Sequence, residues 1–283
     1  MRALCEAATP DDRNLSVRLS HGGIFDTATR AYSPCDACAS IPVDFVSTTI
    51  RIAFCRGDKV EQISNDSSGT QTTMPFTETM AEYEKMTEKE KMLAGELYDC
   101  GDRELLSAWH KAKNLIRDYN ALDSDNAEEK DRILTELLGG KGKNLWITAP
   151  FYVDYGMNIF FGNNCEVNMN CTFLDDNKIT IGDNALISPN VQIYTAYHPF
   201  DAKERFGAPK EDGTFEFCKT QTAPVTIGNN VWIGGGSIIL PGVVIGDNVV
   251  VGAGSVITKD IPSDHLAFGN PCRIIREMKG LNR

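Results

Sequence analysis

Residues 227–257 read Ile227-Gly-Asn-Asn-Val-Trp232, Ile233-Gly-Gly-Gly-Ser-Ile238, Ile239-Leu-Pro-Gly-Val-Val244, Ile245-Gly-Asp-Asn-Val-Val250, Val251-Gly-Ala-Gly-Ser-Val256, Ile257. An aliphatic side chain returns at every sixth position, with mostly small or polar residues between. Phe161, Val167 and Phe173, then Ile181, Ile187 and Ile193, keep the same step. Neither the 3.6-residue turn of a helix nor the two-residue alternation of a strand repeats at six. A coil of three short strands does, and stacked coils bury their inward side chains as one core. The period therefore predicts a mainly β protein, a parallel β-helix. The longer step from Phe173 to Ile181 predicts a bulge. The break from Ile193 to Ile227 predicts a loop thrown out of the coil at about 195–224. The Gly, Asn or Asp after the aliphatic residues is expected to help turn the corners, where asparagine is most often a turn residue. Val251-Gly-Ala-Gly254 imitates a dinucleotide-binding motif, but its glycines fall on the hexad and belong to turns.

Ahead of the repeats, residues 81–144 read as a helical cap. Thr87 and Glu90 form a capping-box pattern, followed by Met92, Leu93, Leu97 and Tyr98 near one helical face. A second helix is drawn by Leu105, Trp109, Ala112, Ile116 and Tyr119. A third is capped by Asn126, carries Ile133, Leu134, Leu137 and Leu138, and stops at Gly139-Gly140. Residues 1–80 are expected to be a disordered extension without assigned function. Residues 41–54 are apolar enough for a strand or two, and Ser64 to Thr73 reads as a flexible linker. Met74, Met80 and Met86 are alternative starts.

A net charge of −11 argues against non-specific binding to nucleic acid or anionic membranes. No apolar run is long enough to span a bilayer, and the acidic start lacks a secretory h-region, so a cytoplasmic address is expected. The nine irregularly spaced cysteines are expected to be reduced. Cys35 and Cys38 form a lone C-x-x-C pair, without the second pair or histidines that a metal site needs.

The hexads, Thr195-Ala-Tyr-His198-Pro199, Ile227-Gly-Asn-Asn-Val-Trp232, Val251-Gly-Ala-Gly-Ser-Val-Ile-Thr258-Lys259-Asp260 and Gly269-Asn-Pro-Cys-Arg273 resemble the maltose/galactoside O-acetyltransferases. These belong to the left-handed β-helix hexapeptide-repeat acyltransferases. The lead-in Thr87-Glu-Lys-Glu-Lys-Met-Leu-Ala-Gly-Glu-Leu-Tyr98 shares the resemblance, which covers about residues 86–278. It implies acetyl transfer from acetyl-CoA to a sugar hydroxyl, a homotrimer with active sites between adjacent β-helices, and no metal. The domains are then residues 81–144 as the cap and 145–283 as the left-handed β-helix.

His198 is the candidate general base. Of His21, His110, His198 and His265, only His198 opens the loop that interrupts the repeat, and imidazole suits proton removal near neutral pH. The resemblance adds Asn168 as a second catalytic group that donates to the thioester carbonyl or orients the acceptor. It puts Asp176 and Asp154 on the acceptor side. An acid of the galactoside-acetylating members falls on Cys100 here, a departure that weakens a galactoside and makes neighbouring Asp99 the substitute. For acetyl-CoA it implies Trp232 against the pantetheine arm, the Gly235 N–H, a small Ala253 beside the arm, Thr258, and the cations Lys259, Arg273 and Arg276 toward the phosphates. The loop is longer than in those members and carries Phe200, Phe206, Phe215 and Phe217. No activated nucleophile demands an acyl-enzyme, so direct transfer is expected.

Three rivals remain. The first is a non-sugar acceptor, serine or an antibiotic hydroxyl. The second is a zinc enzyme of the γ-carbonic-anhydrase type, which lacks its histidine ligands here. The third is a non-catalytic trimeric scaffold.

Overall fold

The computed structural model describes residues 86–206 and 218–278, together with the backbone of 51–56, 59–65 and 71–75. Cys35, Cys38, Phe215, Phe217 and most of the expected extension lie outside the described residues. Strands β1 (Arg51–Arg56), β2 (Lys59–Asn65) and β3 (Gln71–Pro75) form an antiparallel meander. Ser64 pairs with both Arg51 and Thr72, so the ends of the expected linker belong to a ladder.

Three helices follow. α1 (Glu88–Ala94) has Thr87 as N-cap in a reciprocal capping box with Glu90. It ends at Gly95, whose φ of 81° sends its N–H back to the Lys91 and Met92 carbonyls. It is therefore shorter than the apolar spacing implied, and Tyr98 falls in the strand Tyr98–Asp99. α2 (Arg103–Ala121) is capped by Asp102 and α3 (Ala127–Leu137) by Asn126. Their buried faces carry Leu105, Ala112, Ile116 and Tyr119, and Ile133, Leu134 and Leu137. Tyr119 donates to the Ile147 carbonyl at 2.6 Å, and Asn120 exchanges two bonds with Phe151 at 2.9 Å, which docks α2 on the first coil.

The rest of the chain is the parallel β-helix. Three sheets of five, five and seven strands make its faces. The inward residues stack in columns: Phe161, Ile181, Ile227, Ile245; Val167, Ile187, Ile233, Val251; and Phe173, Ile193, Ile239, Ile257. All twelve are buried, each removing on the order of 2 kcal/mol of apolar surface from water. The helix begins before residue 145, at Gly140–Lys141, which pairs with Phe160 and Phe161. Lys141 stands where later coils carry an aliphatic residue, which hid the first coil from the period.

At the corners glycine and asparagine divide the work. At Gly182 an added Cβ would lie 2.7 Å from Asn229 Oδ1 and 2.8 Å from the Gly228 backbone, so glycine is required by the closeness of the next coil. The left-handed residue comes two positions later: Asn164, Asn184, Asn230 and Asn248 have φ of 56–58°. Their side chains form a ladder from Asn144 through Asn164, Asn184, Asn230 and Asn248 to Asp264. Each Nδ2 donates to the next Oδ1 at 2.9–3.1 Å.

Asn184→Ala should cost about 1–2 kcal/mol, because a Cβ without the amide strains the left-handed corner and two ladder bonds go. Asn184→Gly should cost less. Denaturant unfolding checks this, and an Ala variant no weaker than the Gly variant refutes it.

Candidate active site

One corner of the β-helix is enlarged in three successive coils. The inward residues Val153 and Phe161, Phe173 and Ile181, and Ile193 and Ile227 flank it, and the last pair brackets the excursion. The lead-in segment closes over it. Asn177 Nδ2 donates to the Met92 and Leu93 carbonyls at 3.3 Å and to Thr222 Oγ1 at 2.8 Å. Asp175 is fully buried and accepts from the N–H groups of Asp154, Tyr155 and Asn158 at 3.1, 2.9 and 3.2 Å, so it holds the corner.

Asp176 accepts from the Tyr98 hydroxyl at 2.8 Å. Asp154 accepts from Trp109 Nε1 at 3.1 Å and Lys113 Nζ at 2.9 Å, and the Lys113 ammonium lies 4.7 Å from the Trp109 ring centre. Burial pushes the Asp175 carboxyl up to about 7 despite its backbone donors. Burial, then the Asp154 charge, push Asp176 up to about 6. Burial, reinforced by the Asp176 charge, holds the Tyr98 and Tyr155 phenols far above their usual value, so both stay neutral. Asp99 turns its carboxylate to the Gly101 N–H at 2.8 Å, so Tyr98 is the lead-in residue that reaches Asp176.

His198 hangs from the same corner, on the outgoing arm of the excursion. The strand Ala196–Tyr197 pairs antiparallel with Lys219–Thr222, which pairs in turn with Tyr98–Asp99. His198 Nδ1 lies 3.0 Å from the Lys219 carbonyl. A carbonyl only accepts, so Nδ1 carries the proton, and in the neutral ring Nε2 is the acceptor. Phe200 is 97% and Phe206 61% exposed, beside a short helix α4 (Ala202–Arg205).

The other sequence candidates lie elsewhere. Asn168 sits at the corner before the strand Cys171–Leu174, the opposite end of the face from His198. Its Oδ1 accepts from the Met169 N–H at 2.9 Å, so the amide keeps its NH2 for donation. Trp232 is 51% exposed and donates to Ser188 Oγ at 3.1 Å. Gly235 and Ala253 follow along the later coils, where the Gly235 carbonyl accepts from Gly254 at 2.9 Å. Thr258, Lys259, Arg273 and Arg276 are exposed on the last coils. Lys259 follows the strand Val256–Ile257, and Arg273 and Arg276 lie on the edge strand Arg273–Glu277. Within one copy His198 is thus linked through the strands Lys219–Thr222 and Tyr98–Asp99 to Asp176, whereas Asn168 lies at the opposite corner and Trp232 on another face of the coil.

Sequence reasoning missed Tyr98, Trp109, Lys113 and the Lys219 carbonyl. Trp109 and Lys113 stand four apart on α2, so an i, i+4 pair was visible, but nothing local tied it to Asp154. Among the described residues no group of three or more His, Cys, Asp or Glu side chains is placed to hold a metal ion. No described helix is long and apolar enough to cross a membrane.

The maltose acetyltransferase hexapeptide capping motif matches residues 91–142, and the bacterial transferase hexapeptide model, six repeats, matches 224–259. The galactoside O-acetyltransferase of Escherichia coli is 40% identical over 189 residues, 67% of this chain and 88% of that one. The crystal structure of a maltose O-acetyltransferase from Clostridium difficile superposes with a TM-score of 0.63 at 48% identity, covering 69% of this chain and 98% of that one. The chain belongs to the hexapeptide-repeat acetyltransferases. A third member of this acetyltransferase family, from Vibrio cholerae, was solved with acetyl coenzyme A; it is 37% identical with a TM-score of 0.60 over 69% of this chain and all of that one.

Asp175 and Asp176 bind protons more readily in the folded acetyltransferase than in the unfolded chain. The stability they lend is complete below about pH 4 and is lost as pH rises through about 6 and 7. Asp176→Asn, which still accepts from Tyr98, should flatten that decline and raise stability above pH 6. Thermal unfolding from pH 4 to 8 tests this, and an unchanged slope refutes it.

Proposed function

We propose that this acetyltransferase moves an acetyl group from acetyl-CoA to a sugar hydroxyl, of the maltose or glucose type, with His198 as general base. The observation that carries this reading is the bond between His198 Nδ1 and the Lys219 carbonyl. It orients the ring and leaves Nε2 as the proton acceptor. Asp176 and Asp154 provide carboxylate acceptors for sugar hydroxyls beside it. Asp99, spent on its own turn, contributes through the backbone of the lead-in strand. Cys100 in place of an acid favours maltose or glucose over a galactoside.

His198 takes the proton of the attacking hydroxyl, and the oxygen adds to the thioester carbonyl. The Asn168 NH2 and the Gly235 N–H are suited to the oxyanion, and the CoA thiolate leaves. Trp232, Ala253 and Thr258 would line the pantetheine arm, and Lys259, Arg273 and Arg276 would face the phosphates. Acetyl-CoA bound to the Vibrio cholerae relative supports this donor. The separation of Asn168 and Trp232 from His198 within one copy supports an assembly in which neighbouring copies complete each site; we infer a homotrimer acting in the cytoplasm. The exposed side chains of Trp146, Leu186 and Trp232 project from one face, with Glu166 between the first two, and provide apolar surface for such packing.

The test is CoA release, followed by chromatography, against glucose, maltose, galactosides and serine. His198→Ala should lower sugar-dependent kcat about 10²–10⁴-fold and leave acetyl-CoA binding nearly unchanged. Wild-type turnover in that variant refutes the role of His198. Serine-dependent release alone would replace the sugar by an amino acid, and absence of both release and CoA binding would leave a scaffold.

A further inference from the structure

Cys100 and Cys218 face each other where the lead-in segment meets the excursion. Cys100 follows the strand Tyr98–Asp99, and Cys218 precedes the strand Lys219–Thr222. The strands run antiparallel, with Tyr98 opposite Thr220 and Asp99 opposite Lys219. One further step of this register puts Cys100 opposite Cys218. Directly opposed residues of an antiparallel ladder have Cα atoms about 4.5–5.5 Å apart, within the span of a disulfide. The two sulfurs are 3.9 Å apart, and Cys100 Sγ also donates to the Cys218 carbonyl at 3.6 Å. Both residues are half-buried free thiols, within reach of small molecules, whereas Cys165 and Cys171 are buried in the coil. The residue after Cys218 is Lys219, whose carbonyl holds His198.

We propose that Cys100 and Cys218 are a reversible dithiol–disulfide site, oxidised by small-molecule disulfides, that fastens the excursion to the lead-in segment beside His198. Burial and the neighbouring sulfur push the Cys100 thiol up to about 11, which disfavours it as the attacking thiolate. In the proposed order the Cys218 thiolate attacks one sulfur of the small disulfide, the new S–S bond forms, the old one breaks, and one thiolate leaves. Cys100 then gives up its proton and attacks the Cys218 sulfur, expelling the second thiolate. Two protein thiols are oxidised, one small disulfide is reduced to two thiols, and the two protons go to the departing thiolates. Closure from 3.9 Å to about 2.05 Å draws the Lys219 segment toward Cys100 and away from His198 Nδ1.

The effect on turnover rests on the acetyl-transfer reading; the cross-link does not. The full chain is equilibrated in buffers of oxidised and reduced glutathione, acid-quenched, alkylated and digested without reductant. Mass spectrometry should find one peptide pair joined through Cys100 and Cys218, lighter by two hydrogens, reversed by dithiothreitol and absent in Cys100→Ser and Cys218→Ser. Full alkylation of both thiols at every buffer ratio, or glutathione adducts without the cross-link, overturns the proposal. CoA release should fall at least about tenfold on oxidation, since small displacements of a catalytic group cost that much or more. Cys218→Ser should keep its turnover in both buffers. A cross-link with unchanged turnover overturns the link to His198, whereas a cross-link in a protein that never releases CoA overturns the acetyl-transfer reading alone.

Discussion

Coil lies on coil so closely that no Cβ fits at the glycines that follow Phe161, Ile181, Ile227 and Ile245, as at Gly182 beneath Gly228. This contact governs the rest of the molecule. It allows each N–H of one coil to meet a carbonyl of the next, from Gly162 to Ile181 and from Gly182 to Ile227, both at 2.8 Å. It brings successive corner asparagines within hydrogen-bond reach, so that each left-handed residue is bonded to its counterparts above and below. A backbone held this way has little freedom to move locally. Anything the chain adds must leave at a corner without disturbing the stack, and the corner after the Phe173 column is where it does so.

Two adjacent carboxylates at that corner have been given different tasks by their neighbours. Asp175 is enclosed by three backbone donors and serves the turn. Asp176, one residue on, faces a phenol and the Asp154 charge instead. Backbone donors go to the residue that fixes geometry, and the side-chain donor goes to the residue on the cleft. Asp154 bridges the two, since its backbone N–H binds Asp175 and its carboxylate binds Lys113 and Trp109. Removal of either neighbour would therefore be felt through both acids.

The sequence was legible where physics acts at short range. Inward aliphatic residues must recur at the coil step, so the columns were readable, as were the Thr87 capping box and the helix starts. The first coil escaped because Lys141 occupies an inward position. The ends of the polar stretch from Ser64 to Thr73 belong to strands, which the sequence did not show because strand pairing is decided by a partner elsewhere in the chain. The corner asparagines were read as turn residues, but their bonding along the stack needs coil spacing to be known. His198 stood out by its position at the start of the excursion. Its partner Lys219 did not, because an antiparallel return after a long loop has no fixed register in the sequence. The family resemblance supplied Asn168 and Asp176, and the packing of the lead-in segment supplied Tyr98, Trp109 and Lys113.

The asparagine ladder also has a direction. Every amide passes a donor onward, and the last member, Asp264, can accept from Asn248 and has no amide hydrogen to pass on. The edge strand Arg273–Glu277 then runs antiparallel across the end of the longest sheet, where another coil would have continued in parallel. A repetitive stack has no intrinsic reason to stop, and an open end offers a template on which other chains can add. Here the hydrogen-bond chain and the parallel stacking of the longest sheet both end within the last coil, so the number of coils is written into the polymer.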